Sequence, residues 1–448
     1  MPAQVELRKI ADRLLSLSSA DQTEVLILRK DEQLTRFAGN TIHQNVSESN
    51  VTVRLREVFG RKIGVASTND VSDTALRQLS ESAQAVARCA QDHPDFISLA
   101  RPQAHTKTDG YFSSTAACTP QTRAQGAFAI CRMSRAENLQ AAGAFSTTVK
   151  EILVSNSLGL NSYHCGTIAH IVTVVMSENS SGYATANSMD LSRLDPESVG
   201  RMAVDKALKS KDPQPIEPGT YAVILEPEAV ASMILALGYT GLGALAVQEG
   251  RSFMNNRFGE RITGDNITIW DDGNDPNGLI MPIDYEGVSK QSVRLIENGI
   301  AKAVVYDSFT AGREPGKTST GHSLPAPNIS GPLPLNLFMA AGSDSLDDML
   351  SSTERGIWVT RFHYTNIVHP VKTVLTGMTR DGTFLIENGR ITKPLKNLRF
   401  TQSILEAFKH VAMISSRTNL VKSDWEDFAI CVPAVKINEF TFTGTTKF

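Results

Sequence analysis

The side chains in this sequence that could bind a metal ion or act as a nucleophile occur in two short stretches. The stretch HYTNIVH would place His363 and His369 on one face of a regular strand, but no nearby acidic or thiol residue supplies an evident third ligand. A thiol also lies between two imidazoles at His164, Cys165 and His170, although Cys–His catalysis requires an arrangement in space that sequence adjacency does not supply. Both stretches are therefore expected to hold structural side chains.

One segment, GREPGKTSTGH at residues 312–322, has some features of a phosphate-binding loop. It has three residues rather than four between Gly312 and Gly316, and the proline-rich HSLPAPN follows where that motif requires a helix to begin. No nucleotide site is predicted there.

Acidic residues also occur in two adjacent pairs, which are typical of turns or solvated helix caps: Asp271-Asp272 and Asp347-Asp348.

Length, charge and cysteine use limit the classes of function. The 448 residues, 41% of them hydrophobic, are enough for two or three domains with their own cores. The net charge of -3 argues against a nucleic-acid ligand. Five scattered cysteines without a C-x-x-C spacing are typical of reduced thiols in the cytoplasm, and neither a disulfide framework nor a zinc ribbon is expected. The first residues show no export signal.

Hydrophobic periodicity predicts the elements that would position these side chains. After the proline-rich KSKDPQPIEPG at 209–219, the chain becomes mainly β in character. The predicted fold class is therefore α+β, with an α/β N-terminal region followed by a β-rich, largely antiparallel C-terminal domain. Helices are predicted over residues 5–18, 71–87, 120–136 and 195–208, and strands over residues 24–28, 34–37, 51–55, 63–66, 152–155 and 170–176.

Three structural units are expected. They are an N-terminal α/β subdomain at 1–105, a middle α/β subdomain at 106–215 and the β-rich C-terminal domain at 216–448. Two segments of the last unit echo each other, RLIENGIAKAV and FLIENGRITKP. Their Asn298-Gly299 and Asn388-Gly389 dipeptides predict type I′ hairpin turns, because both central residues of that turn need positive φ.

The stretch AVASMILALGYTGLGALAV, residues 229–247, contains no charged side chain. Its glycines and polar residues make it a poor membrane span, so a buried helix near residues 228–247 is predicted instead. Glycine in a helix interior costs roughly 1 kcal/mol relative to alanine. Gly238, Gly241 and Gly243 are therefore expected to mark close packing or a break in the helix.

Several segments spread over nearly the whole length carry a resemblance to a known family. They are LTRFAGNTIHQNVSESNVTV at 34–53, EGRSFMNNRFGERI at 249–262, the repeated LIENG, and PAVKINEFTFTGT at 433–445. In these segments the chain resembles the TldD/PmbA (TldE) family. The resemblance implies an α/β N-terminal region, a β-rich C-terminal domain and a role in a cytosolic metallopeptidase that acts on peptides and unfolded segments.

The uncharged stretch indicates which type of subunit this chain resembles. In the TldD-type subunit the corresponding helix carries HExxxH, which supplies two metal-binding histidines and a glutamate able to act as a general base. Those positions fall on Leu235, Ala236 and Thr240 here, and none of them can ligate a metal or activate water. Residues 171–321 contain no histidine, and Cys431 is out of register with the thiolate ligand of the TldD-type subunit, so it is not assigned to a metal.

The resemblance therefore implies a TldE/PmbA-like subunit with no catalytic residue, cofactor or metal ligand of its own. Such a chain would form a heterodimer with a TldD-like metallopeptidase subunit that carries the metal, expected to be zinc. Its role would be to help enclose a peptide substrate, with extended peptides docking along exposed strand edges. Neither a nucleic acid nor a membrane is an expected partner, and the expected location is cytoplasmic.

Two other functions stay open at this point. One is a self-sufficient hydrolase that uses His363, His369 or a cysteine, which activity of the isolated chain would support. The other is a stand-alone peptide-binding or regulatory protein, which the absence of any metal-bearing partner would support. The sequence does not identify the natural peptide or the partner.

Overall fold

The structure of the protein, a computed structural model, describes residues 3–104, 108–422 and 428–446. The predicted fold class is confirmed: an α/β region comes first, and a β-rich, mostly antiparallel region follows. The first region contains, in chain order, α1 (Ala3–Leu17), β1 (Gln22–Ala38), β2 (Thr41–Phe59), β3 (Lys62–Thr68), α2 (Asp73–Cys89), α3 (Ser113–Ala116), α4 (Pro120–Ala136), β4 (Gln140–Asn156), β5 (Asn161–Met176), β6 (Ser181–Ser188), a 3₁₀ turn (Leu191–Arg193) and α5 (Pro196–Lys209).

One antiparallel sheet organises this first region, in the strand order β3-β2-β1-β4-β5-β6. The central pairing of β1 with β4 joins the predicted N-terminal and middle subdomains into a single sheet. The boundaries predicted for the three units stay a prediction.

Both faces of this sheet are used for packing. The alternation of β1 places Val25 and Ile27 in a core with α1 and α2, and Leu26 in a core shared with Ile283 and Tyr285 of the C-terminal region. Helices α4 and α5 pack on the same face of the sheet as α1 and α2, at its other end. The sheet is therefore a middle layer between the helices and the C-terminal region.

Local sequence signals fix the first residues of α4 and α5, close to the predicted positions. Helix α4 begins at Pro120 and is capped by the Thr119 hydroxyl, and α5 begins at Pro196 and is capped by the Asp195 carboxylate. The prediction of two separate strands over 24–28 and 34–37 was wrong, because β1 runs unbroken from Gln22 to Ala38. Strands β2 and β4 flank β1 through its polar middle, so the sheet pairing continues there.

The C-terminal region is built mainly from strands. Its elements are, in chain order, β7 (Gly219–Leu225), α6 (Pro227–Gly241), α7 (Ala244–Gln248), β8 (Ile269–Asp271), β9 (Val293–Glu297), β10 (Ile300–Ala301), α8 (Ser308–Gly312), β11 (Leu337–Met339), α9 (Leu346–Ser351), β12 (Arg355–His369), β13 (Val374–Glu387), β14 (Arg390–Pro394), β15 (Leu398–Ser403), α10 (Ile404–Lys409), β16 (Val411–Lys422) and β17 (Ala429–Thr445). Both Asn-Gly dipeptides adopt positive φ at each residue, which confirms the predicted hairpin turns.

Five of these strands close into a ring. Strand β7 pairs with β12 in parallel and with β17 in antiparallel, and the pairs β12–β13, β13–β15 and β15–β17 complete the circuit. Aromatic rings from three of the strands contact one another at Phe362, Phe400 and Phe440. Helix α6 packs against β12 and β17, so it belongs to the same core.

The uncharged stretch forms a buried helix, but a shorter one than predicted. Helix α6 ends at Gly241, and the separate short helix α7 begins at Ala244. A Cβ at Gly241 would lie 2.6 Å from the ring of Phe253, and a Cβ at Gly243 would lie 2.2 Å from the carbonyl oxygen of Pro332. The glycines therefore mark both close packing and a break. Within the described residues, no helix is long and apolar enough to cross a membrane.

Candidate functional site

The three positions that are expected to align with HExxxH lie on α6. Leu235 is half-buried against the C-terminal core, while Ala236 and Thr240 are buried. The Thr240 hydroxyl donates to the carbonyl oxygen of Ala236 at 2.8 Å, one helical turn back. Leucine and alanine offer no ligand atom, and the one hydroxyl is engaged by its own helix. These side chains do not fit a metal ion.

The two histidines of HYTNIVH are not arranged as ligands. Strand β12 is irregular here, with breaks in its register around both residues and a positive φ at Tyr364, so the regular strand that would have aligned the two imidazoles is not formed. The ring of His363 contacts the ring of Tyr364, and exposed His369 accepts a hydrogen bond from the backbone of Lys372. This stretch forms an exposed hairpin tip.

The thiol between two imidazoles is also structural. Alternation along β5 places the side chains of His164 and Cys165 on opposite faces of the sheet. His164 Nε2 donates to the carbonyl oxygen of Ile280 at 2.8 Å, and burial lowers the pKa of this imidazole to about 4. Burial raises the pKa of the Cys165 thiol to about 11 and lowers that of His170 to about 4. A nucleophilic thiolate with a histidine base is not formed.

Cys431 lies in β17 and is buried between neighbouring strands. Burial raises the pKa of its thiol, which disfavours the thiolate that metal binding requires. Across the described ranges of the chain, no group of three or more histidine, cysteine, aspartate or glutamate side chains is placed to hold a metal ion.

The segment with features of a phosphate loop lacks the required helix. Helix α8 ends at Gly312, and the chain is irregular from Arg313 to Asn336, so no helix N-terminus faces residues 316–318. His322 from this segment is instead buried in the C-terminal region.

His322 forms a buried pair that the sequence interpretation missed. Its Nε2 lies 2.8 Å from Oδ1 of Asp271, and both side chains are inaccessible to solvent. Burial opposes the charge on Asp271, but Lys290 and His322 hold the pKa of this carboxyl below its usual value, and burial lowers the pKa of His322. The pair is therefore a carboxylate with a neutral imidazole that donates to it, and Lys290 supplies the countercharge.

The interpretation of Asp271 as part of a turn or solvated cap was wrong. Asp271 is the last residue of β8. The residues two and four positions before it, Ile269 and Ile267, are fully buried, so Asp271 continues a buried series of every second residue. This alternation was the sequence signal for a buried carboxylate. Its partner could not be found in the same way, because 51 residues separate Asp271 from His322.

A second buried ionic cluster joins the first sheet to the C-terminal region. Arg56 on β2 lies opposite Glu24 on β1, and its Nη2 donates to Glu24 Oε1 at 2.6 Å. Arg56 Nη1 also donates to Glu286 Oε1 at 3.3 Å, while the Ser308 hydroxyl donates to the same oxygen at 2.7 Å. Burial opposes the charge of Arg56, but the two carboxylates raise the pKa of its guanidinium, which therefore stays charged.

A cavity of about 60 Å³ lies at the same junction. Its floor is formed by β4 and β5 and includes Lys150, Ile152 and His164, and its roof includes residues 279–281. Ligand pockets for small molecules usually measure roughly 300–1,000 Å³. This cavity is large enough for a few water molecules and too small for a peptide.

Comparison with known proteins identifies the family to which this chain belongs. Three family models match in succession, namely PmbA/TldA metallopeptidase domain 1 at residues 23–90, the central domain at 122–211 and the C-terminal domain at 218–444. The match to the last model covers more than half of the chain. The protein therefore belongs to the PmbA/TldD metallopeptidase family, as the sequence resemblance indicated.

Individual relatives are distant. A metalloprotease TldD homolog of Haemophilus influenzae is 24% identical over 88% of this chain and 86% of its own, and a metalloprotease PmbA homolog of the same organism is 22% identical over 83% and 85%. The crystal structure of TldE from Thermococcus kodakarensis matches with a TM-score of 0.87 at 20% identity, over 99% of this chain and 100% of that chain. A putative modulator of a DNA gyrase from Thermotoga maritima gives a TM-score of 0.84 at 18% identity, over 98% and 100%. These structures establish the shared fold.

Proposed function

We propose that this chain is a non-catalytic, TldE-like subunit that pairs with a TldD-like metallopeptidase subunit, and that the pair degrades or processes peptides and unfolded segments. The observation that carries the proposal is the set of side chains on α6. Leu235, Ala236 and Thr240 occupy the motif positions, and the only heteroatom among their side chains is hydrogen-bonded within the helix. The metal, expected to be zinc, and the water-activating base would then belong to the partner subunit.

The role of this chain would be enclosure and positioning. A metallopeptidase site that is open on one side neither excludes bulk water nor holds a flexible peptide in register with the metal-bound nucleophile. A second subunit with the same architecture and a packed, apolar helix in place of the metal helix would close that side. The five free cysteines are in keeping with the reducing cytoplasm, where we place the complex.

Co-expression with a chain of the same family that carries HExxxH tests this proposal. We expect a stable heterodimer in size exclusion, cleavage of an unstructured peptide by the pair, and little or no cleavage by either chain alone. Chelation, or substitution of the glutamate in the partner's HExxxH, should abolish the cleavage. The variants His363→Ala, His369→Ala and Cys431→Ala of this chain should retain most of it.

The same experiment separates the two other functions. Cleavage by this chain alone, lost in His363→Ala or His369→Ala, would support the self-sufficient hydrolase. Failure to associate with any HExxxH-bearing chain, together with retained peptide binding, would support a stand-alone binding protein. Elemental analysis of the chain purified without an affinity tag is an independent check, and about one tightly held zinc or iron per chain would contradict the proposal.

A further inference from the structure

The hairpin that joins β12 to β13 extends past the ring of strands as a two-stranded arm, residues 363–372. Strand β12 pairs with β7 only as far as Val359, and beyond that residue its one strand partner among the described residues is β13. Tyr364 and every residue from 366 to 372 are exposed. The arm is therefore a projection whose surface the rest of the described chain leaves open.

Exposed apolar side chains are concentrated on this arm. Four large hydrophobic side chains are exposed there: Tyr364 (76%), Val368 (58%), Val371 (45%) and Ile367 (40%). Elsewhere in the described chain, exposed large hydrophobic side chains occur singly along the sequence. Single ones are normal on a protein surface, whereas a contiguous patch of roughly a few hundred Å² marks an interaction surface.

The backbone of the arm is shaped to present these side chains. Its two strands change register between His363 and Asn366, and Tyr364 has a φ of 53°, in the left-handed region that a bulky side chain rarely adopts. A bulge of this kind turns a side chain away from the direction that strand alternation would give it. Strained conformations persist where the surrounding structure holds them, and they are most frequent at functional sites.

The base of the arm is fixed to the C-terminal core. Phe362 is buried, and its ring contacts the rings of Phe400 and Phe440. On the returning strand Thr373 is buried, and its carbonyl oxygen accepts a hydrogen bond from the backbone of Ile404 at 2.9 Å. Because both strands are already anchored at the base, docking of the arm would order little additional backbone.

The charge of the arm indicates the chemistry of the surface that it fits. No aspartate or glutamate occurs in the sequence between Arg355 and Arg380. Arg361, just before the arm, is paired with Asp381. Within residues 363–372 the one lysine or arginine is Lys372, at the edge of the apolar side chains. The complementary surface is therefore an apolar groove with an acidic rim.

A groove on a folded protein fits these features better than a lipid surface does. Segments that bind a membrane surface combine apolar side chains with several lysines or arginines, and the arm has one. A protein interface has an apolar centre with aromatic and aliphatic anchors and a polar rim. A stable interface takes about 800 Å² from each partner, so the arm would be the anchor within a larger contact.

We propose that the arm, residues 363–372, anchors this chain in an apolar, acid-rimmed groove of the metallopeptidase subunit that carries HExxxH. The proposal rests on the proposed function, which requires a stable heterodimer, and it names the surface that holds the two subunits together. Tyr364 and Val368 are the main anchors, because they are the most exposed apolar side chains of the arm. His363 and His369 lie at the rim, so replacing either imidazole with alanine has a small effect.

A double variant, Tyr364→Asn with Val368→Ser, tests the anchor. Asparagine tolerates the left-handed backbone at position 364, and both side chains are exposed, so the variant should keep the wild-type Tm. The Kd for the HExxxH-bearing subunit, measured by sedimentation velocity, should rise at least about thirtyfold. Ile329→Ser, at a loop side chain that is 94% exposed, is the matched control and should change the Kd less than about twofold. A normal Kd for the double variant would overturn the proposal.

Charge reversal at Lys372 tests the acidic rim. Lys372→Glu should raise the Kd about fivefold at low salt, and the effect should shrink at about 0.5 M NaCl because salt screens a rim charge. Lys9→Glu, at an exposed lysine of α1, is the control and should have little effect. Tighter association of Lys372→Glu, or equal effects of the two variants, would contradict the stated chemistry of the groove.

Hydroxyl-radical footprinting tests the same contact on the wild-type protein and needs no variant. Oxidation of Tyr364 should fall at least about fivefold when the heterodimer forms, because the groove covers its ring. Equal oxidation in the free chain and in the complex would overturn the proposal. Protection by vesicles of phosphatidylcholine and phosphatidylglycerol, without protection by the partner subunit, would identify a membrane contact and would also overturn it.

The two proposals fail in different ways. If the double variant associates normally and the pair cleaves peptide, the arm is not the anchor and the proposed function stands. If the double variant loses the partner but the wild-type pair cleaves no peptide, the arm stands and the peptidase role fails. If the double variant loses a homodimer of this chain and keeps the heterodimer, the arm contacts a second copy and the proposal is wrong. No association of the wild type with any HExxxH-bearing chain would overturn both.

Discussion

Helix α6 and the junction between the first sheet and the C-terminal region are both buried, but they are built in opposite ways. The buried face of α6 is apolar, with Ile234 and Leu237 fully buried, and its one buried hydroxyl bonds to its own helix. The junction buries Arg56 between two carboxylates that come from different regions of the chain. Helix α6 is therefore part of an apolar core, while the junction holds buried charges that come from both regions.

This difference shows what each site can contribute. Apolar packing stabilises in proportion to the area removed from water, and it places few demands on geometry. A buried ion pair adds little net stability, because desolvation offsets most of its attraction, but it penalises any arrangement that separates the charges. We therefore regard α6 as a source of stability and the junction as a device that orients the two regions.

A charge introduced into the buried face of α6 should give the largest effect. Leu237→Asp places an ionised group in a fully apolar core, which costs several kcal/mol, so we expect an aggregated protein or one without a cooperative melt. Leu235→Asp is the matched control on the half-buried side of the same helix, and it should remain soluble with a lowered Tm. Equal melting temperatures for the two variants would show that α6 is not packed as described.

Removal of Arg56 should give the next largest effect. Arg56→Met leaves Glu24 and Glu286 buried without their countercharge, and we expect a loss of about 3–5 kcal/mol in the free energy of unfolding, measured by urea denaturation. Arg36→Met, at an exposed arginine of the neighbouring strand β1, should change it by less than about 0.5 kcal/mol. If the two variants were equally stable, the ionic cluster would have no role in holding the junction.

Acidification should weaken the junction through His164. Because burial lowers the folded-state pKa of this imidazole to about 4, the unfolded chain binds the proton more readily below about pH 6.5. Above pH 6.5 this histidine leaves the free energy of unfolding unchanged. As the pH falls from 6.5 toward 4, the unfolded chain takes up the proton and the free energy of unfolding falls by up to about 3 kcal/mol.

Thermal melts of wild type and His164→Gln between pH 7 and 4 measure this loss. The variant should lose less stability over the interval, since glutamine does not titrate and its amide can donate to Ile280. His43→Gln, at an exposed histidine of β2, is the control and should follow the wild type. Parallel pH profiles for all three proteins would rule out a role for His164 in acid sensitivity.

The smallest effect is expected at Thr240 of α6. Thr240→Val removes a hydroxyl that bonds only to its own helix, while shape and volume are nearly kept. We expect a change of less than about 1 kcal/mol in unfolding free energy and unchanged peptide cleavage by the assembled pair. A strong loss of cleavage at normal stability would give Thr240 a direct role that its contacts do not suggest.

The sequence by itself determined the elements whose signals are local. Helices α4 and α5 start within one residue of the predicted positions, the Asn-Gly turns have the predicted conformation, and the glycines of residues 238–243 mark the predicted close packing. The types of side chain at Leu235, Ala236 and Thr240 were likewise readable from the sequence, because ligand chemistry depends on the atoms a residue carries. Each of these features is set within a few residues or by chemical identity.

Only the tertiary structure decided which distant residues meet. The buried Asp271–His322 pair joins residues that are 51 positions apart in the sequence, and the Arg56–Glu286 pair joins residues that are 230 positions apart. The single sheet of the first region likewise depends on the pairing of β1 with β4, which lie far apart along the chain. Periodicity assigns a residue to a face, but the partner across that face is set by packing of the whole chain, whose free energy is spread over many long-range contacts.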